Sequence, residues 1–200
     1  RFSYHRKHNA DFRSSLGLKP EASIVLIVNR DFRNSLKGFA TIEIALQQTY
    51  VKGVQFVLVG SNSAWAISRL PNRFTYVDKG YIASRTRIAE LYEAADVFLF
   101  ASTRENFPCV ILEAMSAKCC VVSTPTDGVT EQVENSVSGL ISSSFDPSDL
   151  ANTLTAGLLS PGELERLGNA ARCRVKHEFS EQSMIDAHLK VYNEVYKGSG

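Results

Sequence analysis

"ASIVLIVN" (residues 22–29) and "GVQFVLVG" (residues 53–60) are the runs on which the fold turns. Both are apolar at nearly every position, where a strand with one wet face would alternate. A strand apolar on both sides needs cover on both, and that describes a parallel sheet between two helical layers. Further strands are expected in "RFTYVD" (73–78), "ADVFLFAST" (95–103) and "CCVVSTP" (119–125), with a weaker sixth in "SGLIS" (138–142). Helical patterns fall between them. "GFATIEIALQQTY" (38–50) fills the first gap. "SRTRIAELYEAA" (84–95) spaces Ile88, Leu91 and Tyr92 for one helix face, with Ser84 as its N-cap. "CVILEAMSA" (109–117) follows Pro108, which suits the first helical position. Beyond Pro147 three further helices are expected, the last in "SEQSMIDAHLKVYNEVY" (180–196). Its Met184, Ala187, Leu189 and Tyr192 are expected mostly to cover the core. Strands alternating with helices of this length read as a doubly wound α/β domain.

The composition sets bounds. At 200 residues, 44% hydrophobic and 22% charged, the chain has the make-up of a single globular domain with a real core. A net charge of +1 argues against nucleic acid as a partner. The basic stretch "RFSYHRKH" (1–8) reads as a solvated arm. No apolar run approaches a membrane span, and nothing resembles a signal peptide; a start at Arg suggests a processed chain or a piece of a longer one. Cys109, Cys119, Cys120 and Cys173 lack metal-ligand spacing, so no metal is expected, and they read as small buried hydrophobes in a reducing compartment.

In a doubly wound domain ligands bind at the carboxyl ends of the strands. Those ends are Asn29, Gly60–Ser61, Asp78–Tyr81, Thr103–Phe107 and Thr124–Gly128. The first does not lead into a dinucleotide glycine fingerprint, and the Walker A, His-Glu-x-x-His and Gly-x-Ser-x-Gly patterns are missing. "NRDFRNSLKG" (29–38) instead offers Arg30, Arg33 and Lys37, which suit a diphosphate, or else form a solvated basic loop. "RENFPCVILE" (104–113) opens a helix whose first amides, at Cys109 and Val110, are free to meet an anion. Glu113 can reach ribose hydroxyls and Glu105 sugar hydroxyls; each alone also reads as a surface acid or a cap.

Around that Glu-x7-Glu segment stand "LKGF", "LVGS", "GYIASRTRIAELYEAADVFLFAS", "VVSTPTDGVTE" and "NSVSGLI". In this order the blocks resemble the C-terminal, nucleotide-sugar-binding domain of family 4 retaining glycosyltransferases, which have the two-domain GT-B fold. The resemblance covers nearly the whole chain. It implies a Rossmann-like sheet and transfer of a sugar from a UDP-sugar or GDP-sugar to a glycan or lipid-linked acceptor. It also implies no cofactor or obligatory metal, an acceptor held by a missing N-terminal domain, and a cytoplasmic enzyme associating peripherally with the membrane. Residues 1–20 would be linker and domain start, 21–180 the donor domain, and 181–200 a helix packing toward the other domain.

By the same resemblance Glu105 contacts the donor sugar and Glu113 the ribose. Lys37 and Arg30, with Arg33 as competitor, neutralise the diphosphate. The main chain of Phe107, Pro108, Cys109 and Val110 meets sugar and diphosphate, Gly60 lies at the β-strand end beneath, and Tyr81 and Ile82 border the base. Glu131 is structural. Lys118 stands where the family has glycine, at a cost of about 1 kcal/mol if the position is left-handed. A nucleotide-sugar 2-epimerase and a non-catalytic sugar-nucleotide-binding module are the alternatives.

Overall fold

A computed structural model describes residues 10–197; the basic stretch 1–8 lies outside them. Six strands form one sheet in the order β3-β2-β1-β4-β5-β6. They are β1 (Ser23–Asp31), β2 (Val54–Ser61), β3 (Thr75–Asp78), β4 (Val97–Phe100), β5 (Cys120–Ser123) and β6 (Leu140–Ile141). Every pairing is parallel. All six expected strands are present, the weak sixth as a two-residue edge.

The helices are α1 (10–15), α2 (Phe39–Gln48), α3 (Ser63–Ile67), α4 (Arg85–Ala94), α5 (Cys109–Ser116), α6 (Val129–Gln132), α7 (Pro147–Leu159), α8 (Pro161–Glu178) and α9 (Glu181–Lys197). Side chains alternate across β1, so Val25 and Ile27 enter one apolar layer while Ile24 and Leu26 enter the other. α2 and α7 cover the first layer; α4 and α5 cover the second. Cys119 and Cys120 divide in the same way, one thiol to each layer, and burial pushes both thiols up, Cys120 to about 12. All four cysteines are free, but Cys109 and Cys173 are exposed rather than buried, since each sits on the outer side of its helix.

Residues 10–18 are part of the domain. Phe12, Leu16 and Leu18 pack on the second layer, and the fully enclosed Arg13 guanidinium bonds Asp96 at 3.0 Å and the carbonyls of Ala94, Pro20 and Ala22. Asp96 in turn accepts from the Ile24 amide at 2.8 Å, joining α1 to the start of β1 and β4.

Three local expectations change. Pro108 is the N-cap of α5, with extended ψ of 115°, and Cys109 takes the first helical position. The core role for α9 fails: Met184, Leu189 and Tyr192 are 56%, 53% and 67% exposed, because the sheet's two faces are already covered by the earlier helices. α3 and α6 were not expected; each is about one turn long, too short to show a period. Lys118 does adopt the left-handed conformation, φ 61°. There it completes a C-terminal motif on α5, with Cys119 N–H on Ala114 O at 3.0 Å and Lys118 N–H on Met115 O at 3.1 Å.

Candidate donor-binding site

Strand order reverses between β1 and β4, which lie side by side while the helices that follow them, α2 and α5, go to opposite faces. The loops leaving those two strands therefore part and leave a crevice at their carboxyl ends. Two glycines let its walls close up. Gly38 is left-handed (φ 69°), and a Cβ there would stand 1.7 Å from the Ala101 carbonyl oxygen, so only glycine lets the α2 start lie on the end of β4. Gly128 (φ 75°) does the same against Asn106 O, where a Cβ would stand at 2.0 Å. The loop after β5 is thus pressed onto the loop after β4.

Lys37 ends the 3-10 turn Ser35–Lys37, itself capped by Asn34. Its Nζ reaches Glu105 Oε1 at 2.6 Å. Glu105 is held from a second side by Ser102, whose hydroxyl lies 2.8 Å from the same oxygen. That hydroxyl also lies 2.9 Å from Leu36 O, but the Thr103 amide at 2.9 Å and hydroxyl at 3.2 Å take both lone pairs of Leu36 O, leaving the single Ser102 proton for the carboxylate. Ser102 O accepts from the Thr126 hydroxyl, which ties in the β5 loop once more. Loops after β1, β4 and β5 converge on one half-buried carboxylate–ammonium pair.

The start of α5 lies in the same loop. Cys109 and Val110 occupy its first turn, where backbone N–H groups have no helical acceptor behind them. Pro108 O accepts from Ile111 N at 3.1 Å and from the Gln132 side chain at 3.3 Å, which fixes the helix start against α6. Phe107 is 41% exposed, and its ring meets Phe179, at the end of α8, edge-on at 5.6 Å. Arg174 lies over the Phe179 ring at 5.6 Å and bonds the carbonyls of Glu131 and Gln132.

Glu113 sits further along α5 and belongs to different surroundings. The groups that act on its ionisation are Tyr92 and Arg85 of α4. Although the residue is exposed as a whole, partial burial of its carboxyl pushes the pKa above the usual carboxylate range, against the lowering pull of Tyr92 and Arg85. The two glutamates are thus not equivalent: one is paired with a cation, the other is partly desolvated.

Arg30 is exposed near the end of β1 and makes no hydrogen bond or ion pair with the described residues. Arg33, its competitor, lies over the Trp65 ring of α3 at 5.5 Å. Gly60 is buried with φ 141°, and a Cβ would stand 1.6 Å from Asn29 O; its part is to let β1 and β2 close. Tyr81 is 67% exposed between β3 and α4, while Ile82 leans on the second apolar layer. Ser102, Thr126 and Tyr92 were not singled out for the site from the sequence. Ser102 and Thr126 lie within the quoted blocks, and only the loop geometry shows their bonds.

No helix among the described residues is long and apolar enough to cross a membrane, and they hold no cluster of three or more metal-ligating side chains. Comparisons with known proteins agree with the geometry. D-inositol 3-phosphate glycosyltransferase 2 of Catenulispora acidiphila is 30% identical over 173 residues, covering 80% of this chain and 40% of that protein. Sucrose-phosphate synthase from Thermosynechococcus elongatus superposes with a TM-score of 0.78 at 28% identity, over 94% of this chain and 49% of that one. The Anabaena protein HepE, solved in complex with UDP-glucose, superposes at 0.76 and 23% identity, over 94% of this chain and 53% of that one. The chain spans about half or less of the length of the curated relatives it matches. The model of the glycosyl transferases group 1 family matches residues 9–174, and the chain belongs to that family.

Proposed function

We propose that this chain is the C-terminal, donor-binding domain of a retaining glycosyltransferase of family 4, with a two-domain GT-B architecture. The observation that carries the reading is the Lys37–Glu105 pair beside the open first turn of α5, at the point where strand order reverses. A nucleoside diphosphate sugar, a UDP-sugar or GDP-sugar, has the matching chemistry. HepE, whose fold this chain shares, was solved with UDP-glucose.

In this reading the diphosphate lies across the α5 amides of Cys109 and Val110, with Lys37 and Arg30 supplying charge. As the glycosidic bond breaks, negative charge grows on the leaving diphosphate, and fixed donors aimed there lower the barrier. Glu105 orients the sugar hydroxyls and holds Lys37 in place. It acts as a positioner rather than as a covalent nucleophile. Glu113 accepts from the ribose diol, and the main chain at Tyr81–Ile82 borders the base. The acceptor, a glycan or lipid-linked saccharide, attacks from the face the diphosphate leaves, which retains configuration, and the leaving phosphate takes its proton. A second domain outside this chain holds that acceptor, with the full-length enzyme at the cytoplasmic face of the membrane.

Titration calorimetry of this chain with UDP and with GDP tests the reading. Saturable binding of one of them, weakened by Lys37→Ala, is expected. A folded chain that binds neither overturns it.

A further inference from the structure

Three buried side-chain atoms have no hydrogen-bond partner among the described residues: Asn29 Nδ2, the Tyr92 hydroxyl and Gln132 Oε1. Gln132 lies against Pro108 and Asn29 against Gly60, but Tyr92 is the one whose unmet atom acts on an ionisable residue of the candidate site. It is 1% exposed, and its ring packs edge-on against Phe98 at 5.3 Å. Phenylalanine would fill that space equally well without leaving a buried hydroxyl unmet, a cost of about 1–3 kcal/mol. The group beside the hydroxyl is the Glu113 carboxyl of α5, near enough for each to act on the other's ionisation yet short of an ordinary hydrogen bond. Glu113 itself is exposed on its outer side.

A carboxylate so placed has an inner side against a phenol and an outer side exposed to solvent. We propose that Tyr92 is a positioning residue for Glu113: its O–H donates to the inner carboxylate oxygen and aims the outer one at the vicinal diol of a ribose. This rests on the donor-site reading above. A long acidic side chain with free rotamers must be ordered when it binds a diol; one already held from behind loses less on binding. The hydrogen bond also keeps that carboxylate charged and acceptor-only, the form that two ribose hydroxyls require. The other groups acting on the pair are Arg85 at the start of α4, which favours the charged carboxylate, and the Cys119 thiol beside Tyr92.

The test uses this chain with Tyr92→Phe, Glu113→Gln and both together. Carboxyl-carbon NMR of glutamate-labelled protein, with the Glu113 signal identified by its loss in Glu113→Gln, gives the titration midpoint without any nucleotide. Tyr92→Phe should raise that midpoint at unchanged melting temperature, because the ring still fills its place. UDP affinity at neutral pH should fall about three- to tenfold, the size of one ordinary hydrogen bond. The double variant should bind no more weakly than Glu113→Gln alone. If Glu113→Gln weakens UDP binding while Tyr92→Phe moves neither midpoint nor affinity, Tyr92 is core packing and the proposal is overturned. If Glu113→Gln leaves UDP affinity untouched, the ribose reading fails on its own account. The nucleotide-free midpoint then still decides the Tyr92–Glu113 contact, a rise supporting it and no change overturning it.

Discussion

Lys37 and Glu105, 68 residues apart in sequence, meet at 2.6 Å. Neither is free for a ligand alone: the ammonium carries a carboxylate partner, and that carboxylate also takes the Ser102 hydroxyl. Lys37→Ala should weaken nucleoside diphosphate binding by roughly 1.5–3 kcal/mol, the worth of a charge-assisted contact in a partly enclosed site. Titration calorimetry with UDP and GDP reads it. Unchanged affinity would return the "SLKG" turn to a solvated loop.

Glu105→Gln should not be silent toward the bare diphosphate. Removing the carboxylate's charge unpairs Lys37, which is 32% exposed and then free to wander or to give its whole charge to phosphate. Diphosphate affinity should therefore hold or rise slightly while affinity for the intact nucleotide sugar falls. Glu113→Gln should weaken both ligands alike. Parallel titrations of UDP and UDP-glucose separate the two glutamates, and equal losses in both variants would contradict the division.

The pH response of Glu113 follows from its raised pKa. An acid whose folded pKa lies above its unfolded value binds protons more tightly when folded, so its ionisation opposes folding as pH rises through that window. Glu113→Gln should accordingly melt no lower than the parent at neutral pH. Any gain should shrink as pH falls into the carboxylate range. A variant that melts well below the parent at neutral pH would show that the charge stabilises the fold.

Lys118→Gly should raise stability by about 0.5–1 kcal/mol, the relief of a left-handed side-chain residue less the entropy glycine loses on folding. The position is remote from the crevice, so nucleotide affinity should not move. Thermal melting and one titration check both halves.

Arg13→Ala should cost about 3–5 kcal/mol, because it removes an enclosed guanidinium that bonds the Asp96 carboxylate and three carbonyls. A chain begun at residue 21 should be destabilised at least as much, since it also loses Leu16 and Leu18 from the second layer. Denaturant melts of both would show whether residues 10–18 belong to the cooperative unit.

Much of the fold was legible because β1 and β2 are apolar on both faces, and only a covered parallel sheet satisfies that. The site was legible where loop chemistry is dense: Lys37, Glu105 and the proline-opened α5. What stayed hidden depends on contacts across sequence. Tyr92 has the spacing of an ordinary core residue, and nothing local says that its hydroxyl faces Glu113. The stripe on α9 is amphipathic, but a period names a face without naming what it touches. Pro108 at the cap rather than the first helical position is a one-residue shift that proline's fixed φ permits in either place.

The edge-on contact of Phe107 with Phe179 bears on how this domain can be trimmed or recombined. The family match ends at residue 174, before Phe179. A chimera spliced at that boundary keeps every strand and both glutamates, yet it inherits whatever residue the new chain supplies behind the donor loop. Splice points after residue 180 carry the loop's own backing with it.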